Sequence, residues 1–166
     1  IGCIAGPSSL TPSSRRIAGY KQALQKANLV VEPELIMNGD FHPESGWQAG
    51  RAMLSQPNPP TAIFACNDLM AIGMLRAATE LGLRVPDDLA LVGYDDIELA
   101  SYTNPPLTTI KQPKLEMGLA TLNFLLGRIK DKQSAPQRVL LPVSLAIRGS
   151  CGAQNVKNPY QGGERS

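Results

Sequence analysis

Short apolar runs and longer amphipathic stretches alternate along this chain, and the alternation predicts its elements. Ile1–Ala5 (IGCIA) is a continuous apolar run closed by Gly6-Pro7, the form of a buried strand ended by a turn. After the hydroxyl-rich stretch SSLTPSSRR, Ile17, Tyr20, Leu24 and Ala27 recur at helical spacing and predict a helix from about Ser13 to Asn28. Leu35–Met37 predicts a short strand, followed by the polar loop NGDFHPESG. A helix through Trp47, Met53 and Leu54 follows; Pro43 and Glu44 suit its first turn, and Pro57, Pro59 and Pro60 stop it. Thr61–Cys66 predicts a buried strand. Asn67 is placed to cap a helix through Met70, Met74, Ala77 and Leu81, with Gly82 past its end. Leu89–Val92 predicts another buried strand. Leu115, Leu119, Leu122, Leu126 and Ile129 mark an amphipathic helix, and Val139–Leu141 and Ser144–Ile147 predict a closing pair of strands around Pro142.

Apolar strands alternating with helices imply βαβ units: an α/β fold with a parallel, doubly wound sheet covered on both faces. Ligands of such sheets lie beyond the carboxyl ends of the strands. The segments to inspect are therefore Gly6–Arg16, Asn38–Ser45, Asn67-Asp68 and Gly93–Ile97. The stretch Val92–Lys114 is unusual among them, because an apolar run ends in two adjacent carboxylates, Asp95 and Asp96, and a Pro-Pro step leads to a second apolar segment ending at Gln112.

Composition narrows the function classes. The 166 residues are 43% hydrophobic and 18% charged, enough for a real core. A net charge of +2 with scattered Lys and Arg gives no basic nucleic-acid-binding face, so any contact with DNA is expected elsewhere. Cys3, Cys66 and Cys151 are odd in number, widely spaced and mostly in apolar settings, which predicts free thiols in a reducing cytoplasm rather than disulfides or a metal site. No apolar run approaches the roughly 20 residues of a membrane helix. The chain opens inside a core strand, which predicts a preceding segment, while 151–166 is polar and predicts a disordered tail.

The strand-end loops offer a guanidinium candidate pair (Arg15, Arg16), an aromatic (Phe41), an amide (Asn67) and carboxylates (Asp40, Asp68, Asp95, Asp96). This set suits a polyhydroxylated ligand: carboxylate and amide oxygens accept from hydroxyls, arginine donates in a fork, and an aromatic face covers the C–H side of a ring. Each has a plainer reading. Asn67 caps its helix, the Asp pair forms a solvated turn, Arg16 covers a helix surface, and Phe41 plugs a gap. Co-location on one cleft favours binding. Catalysis is disfavoured: His42 is the only histidine, and there is no G-x-S-x-G, P-loop, G-x-G-x-x-G or Cys/His cluster of metal spacing. Asp95 and Asp96, as sequence neighbours, point to different sides and do not make an acid/base dyad. No catalytic residue, cofactor or metal ligand is expected.

The motifs ND-x-MA-x-G at 67–73, L-x-VP-DD at 83–88, VGYDD at 92–96 and PPLTTI-x-QP at 105–113 together closely resemble the effector-binding core of the lactose-repressor (LacI/GalR) family of bacterial transcription regulators. The resemblance covers about residues 1–150. GYDDIELASYTNPPLTTIKQPK and Thr11-Pro12 look most like ribose operon repressors; GDFHPESG is similar to the purine repressor and LLPVSLAIR to the lactose repressor. The resemblance implies two periplasmic-binding-protein-like subdomains with an effector between them and a helix-turn-helix head that reads operator DNA as a dimer. It divides this chain into an effector-binding subdomain (1–104), a hinge crossover and helix belonging to the other subdomain (105–136), closing strands (137–150) and the tail (151–166). The helix Leu115–Ile129 would then lack partners here, and a second chain or a misplaced C-terminal third is expected to answer for it. Arg16, Phe41, Asn67, Asp95 and Gln112 match or neighbour the family's effector-binding positions, and Asp96 is expected to hold the turn. Ile72, Leu75 and Tyr102 fall on the family's dimer surface, although Ile72 and Leu75 equally suit a face turned to the sheet. Leu10 and Pro12 stand where purine repressors hold a polar pair, which favours a small ribose-like sugar. A sugar-binding protein of a transport system and a purine-responsive repressor are the alternatives.

Overall fold

The computed structural model, which describes residues 1–133, 135 and 137–153, is built on one six-stranded sheet. The elements are β1 (Gly2–Ala5), α1 (Thr11–Lys26), β2 (Ile36–Asn38), α2 (Pro43–Leu54), β3 (Ala62–Ala65), α3 (Asp68–Glu80), β4 (Ala90–Asp95), β5 (Thr108–Lys111), α4 (Lys114–Lys130) and β6 (Ser144–Ala146). The strand order is β2-β1-β3-β4-β5-β6; the first five run parallel and β6 pairs antiparallel with β5. The order reverses between β1 and β3, and the carboxyl ends of these two strands open the crevice where doubly wound sheets bind ligands.

Local chemistry explains the element ends. α1 starts and stops two residues before the sequence expectation. Pro12 fits its first turn. Ser13 does not cap the helix; its hydroxyl donates to the Gly6 carbonyl (2.7 Å), tying the helix start to the end of β1. At the other end Asn28 adopts φ 55°, and the Leu29 amide reaches back to the Leu24 carbonyl (2.9 Å), a left-handed cap. Gly82 (φ 71°) closes α3 the same way, with Leu83 N donating to Ala78 O.

One sheet face is filled. Ile4, Ile63 and Leu91 are at most 2% exposed and lie under α2 and α3, together with Met53, Met70 and Met74. The two helices approach closely because both are glycine where they meet. A β-carbon on Gly73 would overlap the Pro43 carbonyl oxygen, and one on Gly46 the backbone of Met70. The opposite face is only partly covered, contrary to expectation. α1 covers β1, but Phe64, Val92, Tyr94 and Ile110 line a groove of about 560 Å³. The reason is topological: β2→β3 and β3→β4 both cross on the same side, so only β1→β2 places a helix on the other.

Three further differences follow from backbone pairing. β4 does not stop at Val92 but continues to Asp95, because Tyr94 and Asp95 pair with Ile110 and Lys111. Residues 108–111, expected to lead straight out of the subdomain, first add β5 to its sheet. Val139–Leu141 is not a strand: β6 already fills the free edge of β5 with the register Thr109↔Ala146, Ile110↔Leu145, Lys111↔Ser144, and Val139 and Leu140 stay exposed. α4 forms as its Leu spacing predicts, yet none of its side chains is buried and it packs extensively on no other element. Of the expected tail, 154–166 lies outside the described residues. Before it, Ser150 is fully buried: its hydroxyl donates to Leu91 O (2.6 Å) and accepts from Thr108 N (2.8 Å), fastening β4 to β5.

Candidate functional site

Three elements bring Arg16, Asp95 and Gln112 together at the carboxyl end of the sheet. Arg16, on the second turn of α1, donates from Nη1 to the Cys66 carbonyl (2.5 Å) and from Nη2 to Asp95 Oδ1 (3.2 Å). Its guanidinium carbon stands 3.7 Å above the centre of the Tyr94 ring, a cation–π arrangement that fixes the plane of the fork. Gln112, just past β5, donates from Nε2 to the same Asp95 Oδ1 (2.5 Å). The other Asp95 oxygen accepts no hydrogen bond among the described residues. The Arg16 and Asp95 side chains are 15% and 26% exposed. Burial lifts the Asp95 carboxyl above its ordinary value, against the opposing pull of Arg16 and the Gln112 bond.

The Asp95 corner is backbone-strained. Asp95 has φ 115° and Asp96 φ 50°, both in the region that favours glycine, and Phe41 (φ 72°) is another such residue at a strand end. Such conformations cost of order 1–3 kcal/mol each and gather where function over-determines the backbone. Here the turn carries Asp95 toward Arg16 and sends Asp96 the other way, to Arg148 Nη2 (2.6 Å). The opposite pointing of the two acids agrees with the sequence reading.

Phe41 and Asn67 are joined to each other just past the ends of β2 and β3. The Phe41 ring lies so close over Gly6 that a β-carbon there would overlap it. Asn67, 7% exposed, caps α3 by accepting from Met70 N (2.9 Å) and donates from Nδ2 to the Phe41 carbonyl (2.8 Å). Its plainer reading as a cap therefore holds. One amide hydrogen and one oxygen lone pair remain for a ligand hydroxyl.

Sequence reasoning did not single out Tyr94, Arg148 or Thr109. Tyr94 carried a weak signal, since strand alternation places it on the face away from Gly93. Arg148 carried none, lying 52 residues from its carboxylate partner. Asp68 is not a cleft acid. It is fully buried, accepting from Thr109 Oγ1 (2.5 Å) and Ile97 N (2.9 Å), and burial raises its carboxyl. Among the expected dimer residues, Tyr102 is 74% exposed and Ile72 is half-buried. Leu75 is corrected: at 8% exposure it belongs to the core and offers a second chain little surface. Cys3 and Cys66 are buried free thiols and Cys151 is half-buried. Among the described residues no group of three His, Cys, Asp or Glu is placed to hold a metal, and no helix is long and apolar enough to cross a membrane.

Comparison with known proteins bears on the fold. The periplasmic binding protein-like domain family matches residues 1–151. The Escherichia coli HTH-type transcriptional repressor PurR is 47% identical over 150 residues, spanning 90% of this chain and 44% of that protein. Among solved structures, a transcriptional regulator CelR–cellobiose complex superposes with a TM-score of 0.86 at 37% identity, over 90% of this chain and 46% of the other. A lac repressor dimer bound to operator and the anti-inducer ONPF gives 0.82 at 39%, over 90% and 51%. The chain thus spans about half the length of these relatives. The chain belongs to the periplasmic binding protein-like domain family and, within it, groups with the lactose-repressor-type transcription regulators.

Proposed function

We propose that the chain is the effector-binding and dimerisation region of a cytoplasmic transcriptional repressor, with a small ribose-like sugar in the cleft. The observation that carries this reading is the convergence of Arg16, Asp95 and Gln112 on one half-buried cluster. The unbonded Asp95 oxygen accepts from sugar hydroxyls, the Arg16 fork donates, and Phe41 covers the ring's apolar side. Asn67 holds Phe41 and adds a further polar contact. Groups desolvated for hydroxyls also reject analogues that lack them. Ile72 and Tyr102 serve a homodimer, and operator DNA is read by a head that residues 1–166 do not include. Residues 1–104 form the subdomain that holds Arg16, Phe41, Asn67 and Asp95, and 105–136, which carry Gln112, the crossover toward a second. Sugar closes the cleft, and its differential affinity for the open and closed states sets the change in operator binding. No covalent chemistry is assigned to the site.

The similarity to PurR favours a second reading, a purine-responsive repressor. Leu10 (46% exposed) and Pro12, at the positions where purine repressors hold a polar pair, weigh against it. Calorimetry of the full-length protein against ribose, hexoses and hypoxanthine decides between them: ribose is expected to bind, and binding of hypoxanthine but not ribose sinks the sugar assignment. A sugar-binding protein of a transport system is separated by the sequence before Ile1, where a signal peptide in place of a helix-turn-helix would favour it.

A further inference from the structure

The chain leaves the sheet body at Gln112 and re-enters it at Ser144. Between them come α4, with no buried side chain, and the segment leading to β6. The departing and returning stretches lie side by side as the antiparallel pair β5–β6. Beside this pair stands Asp96, and it touches both. Its carboxylate Oδ1 accepts from Arg148 Nη2 (2.6 Å), two residues past β6. Its carbonyl accepts from Lys114 Nζ (2.9 Å), the first residue of α4. Its amide donates to Thr109 Oγ1 in β5 (3.4 Å), and that hydroxyl donates in turn to the buried Asp68. Arg148 is itself fixed, donating from Nη1 to Leu107 O (2.8 Å). One residue therefore bonds the outgoing strand, the outgoing helix and the returning segment. It is also the covalent neighbour of Asp95.

We infer that Asp96 is a positioning residue, a clamp that ties both crossing segments to the corner presenting Asp95, so that a ligand drawn onto Asp95 is felt at the crossing. The inference rests on the effector reading of the cleft. The geometry supplies the coupling: Asp95 and Asp96 are consecutive residues at positive φ, and a shift in one peptide plane turns the other. Charge-assisted bonds such as Arg148–Asp96 are the stronger kind, and at 24% and 14% side-chain exposure this one is partly shielded from water.

Hydrogen exchange of the full-length protein tests this, with Asp96→Asn, Arg148→Gln and the exposed-site variant Lys114→Met. Without ligand, amides of 108–114 and 144–148 in Arg148→Gln should exchange about 10- to 100-fold faster, the consequence of losing one charge-assisted bond, while β1 and α3 keep their rates. Lys114→Met, which removes only an exposed side chain, should loosen 112–116 alone; it decides the matter if the other two fail to fold. Unchanged rates in the crossing segments of every folded variant would overturn the clamp. With ribose added, the wild type should gain protection in 144–148, whereas Asp96→Asn should still bind ribose, within about threefold, without that gain. Binding with full gain in Asp96→Asn overturns transmission through Asp96. Failure of the wild type to bind ribose counts against the sugar reading, and the ligand-free comparison still decides the clamp.

Discussion

Replacing Gly73 by alanine should destabilise the fold by about 1–3 kcal/mol, although alanine is the better helix former. The substitution relieves the glycine penalty in a helix by about 1 kcal/mol. Against this, the new β-carbon would overlap the Pro43 carbonyl oxygen and lie 2.7 Å from the Trp47 nitrogen. These are backbone atoms of the facing helix and cannot rotate away, so α2 and α3 must separate. Overpacking of this kind costs about 1–3 kcal/mol. Separation also opens gaps around Met53, Met70 and Met74, all 0% exposed, and a gap of 0.5–1 Å forfeits roughly a quarter to a half of each dispersion contact. Gly19→Ala is the control: nothing lies within 4 Å of the point its β-carbon would occupy, so it should stabilise by about 0.5–1 kcal/mol. Urea unfolding gives both values from the midpoints at constant slope; in thermal terms the Gly73 variant should melt about 2–12 °C lower. A Gly73→Ala protein as stable as the wild type, or stabilised like Gly19→Ala, would refute the close-packing argument.

Asp95→Ala should abolish the effector response while operator binding persists; loss of operator binding in a parallel titration would make Asp95 a structural residue. Asn67→Ala should cost about 1 kcal/mol as a lost cap, measured by thermal unfolding, whereas Asn67→Asp keeps the cap and should weaken ligand binding through the loss of the Nδ2–Phe41 bond. Equal stability loss in the two variants would argue against the capping role. Tyr94→Leu should weaken binding by about 0.5–2 kcal/mol through the freed Arg16 fork, and Tyr94→Phe should restore it; calorimetry in which Phe fares no better than Leu removes the cation–π account. Burial raises the Asp68 carboxyl in the folded state, so its favourable contribution is fully present below about pH 3.9, the ordinary value, and is lost as pH rises through the raised one. Asp68→Asn should therefore flatten the fall in stability above that pH, and urea midpoints that stay parallel to the wild type across the pH series would contradict it.

The fold was legible where local chemistry decides it. Asn67 and Gly82 mark the ends of α3, Pro43 marks the start of α2, and the apolar runs around Ile4, Ile63 and Leu91 mark parallel strands with both faces in play. Legibility failed where a partner distant in sequence decides. Val139–Leu141 has strand composition, but the edge of β5 is taken by β6. Leu75 fits a helix stripe that could face a second chain, yet three-dimensional packing turns it inward. In the site, Arg16 and Asp95 were recognisable from type and position and Gln112 from the family resemblance, and the structure joins all three. That one Asp95 oxygen takes both donors, that Tyr94 carries the guanidinium and that Arg148 grips Asp96 depend on side-chain directions which no spacing rule encodes.

The burial of Ser150 between β4 and β5 makes the sheet body discontinuous in sequence: its last pieces arrive only after the 113–143 excursion. The excursion is thus an insertion held at two fixed points, Gln112 and Ser144, that β5 and β6 already place next to each other. Closing a loop between adjacent points grows costlier only slowly with length, by about 0.6 kcal/mol for each doubling. Closure entropy alone therefore sets little limit on how much chain is carried there, whereas the return through Arg148 and Ser150 is fastened to β4 and β5 and to Asp96.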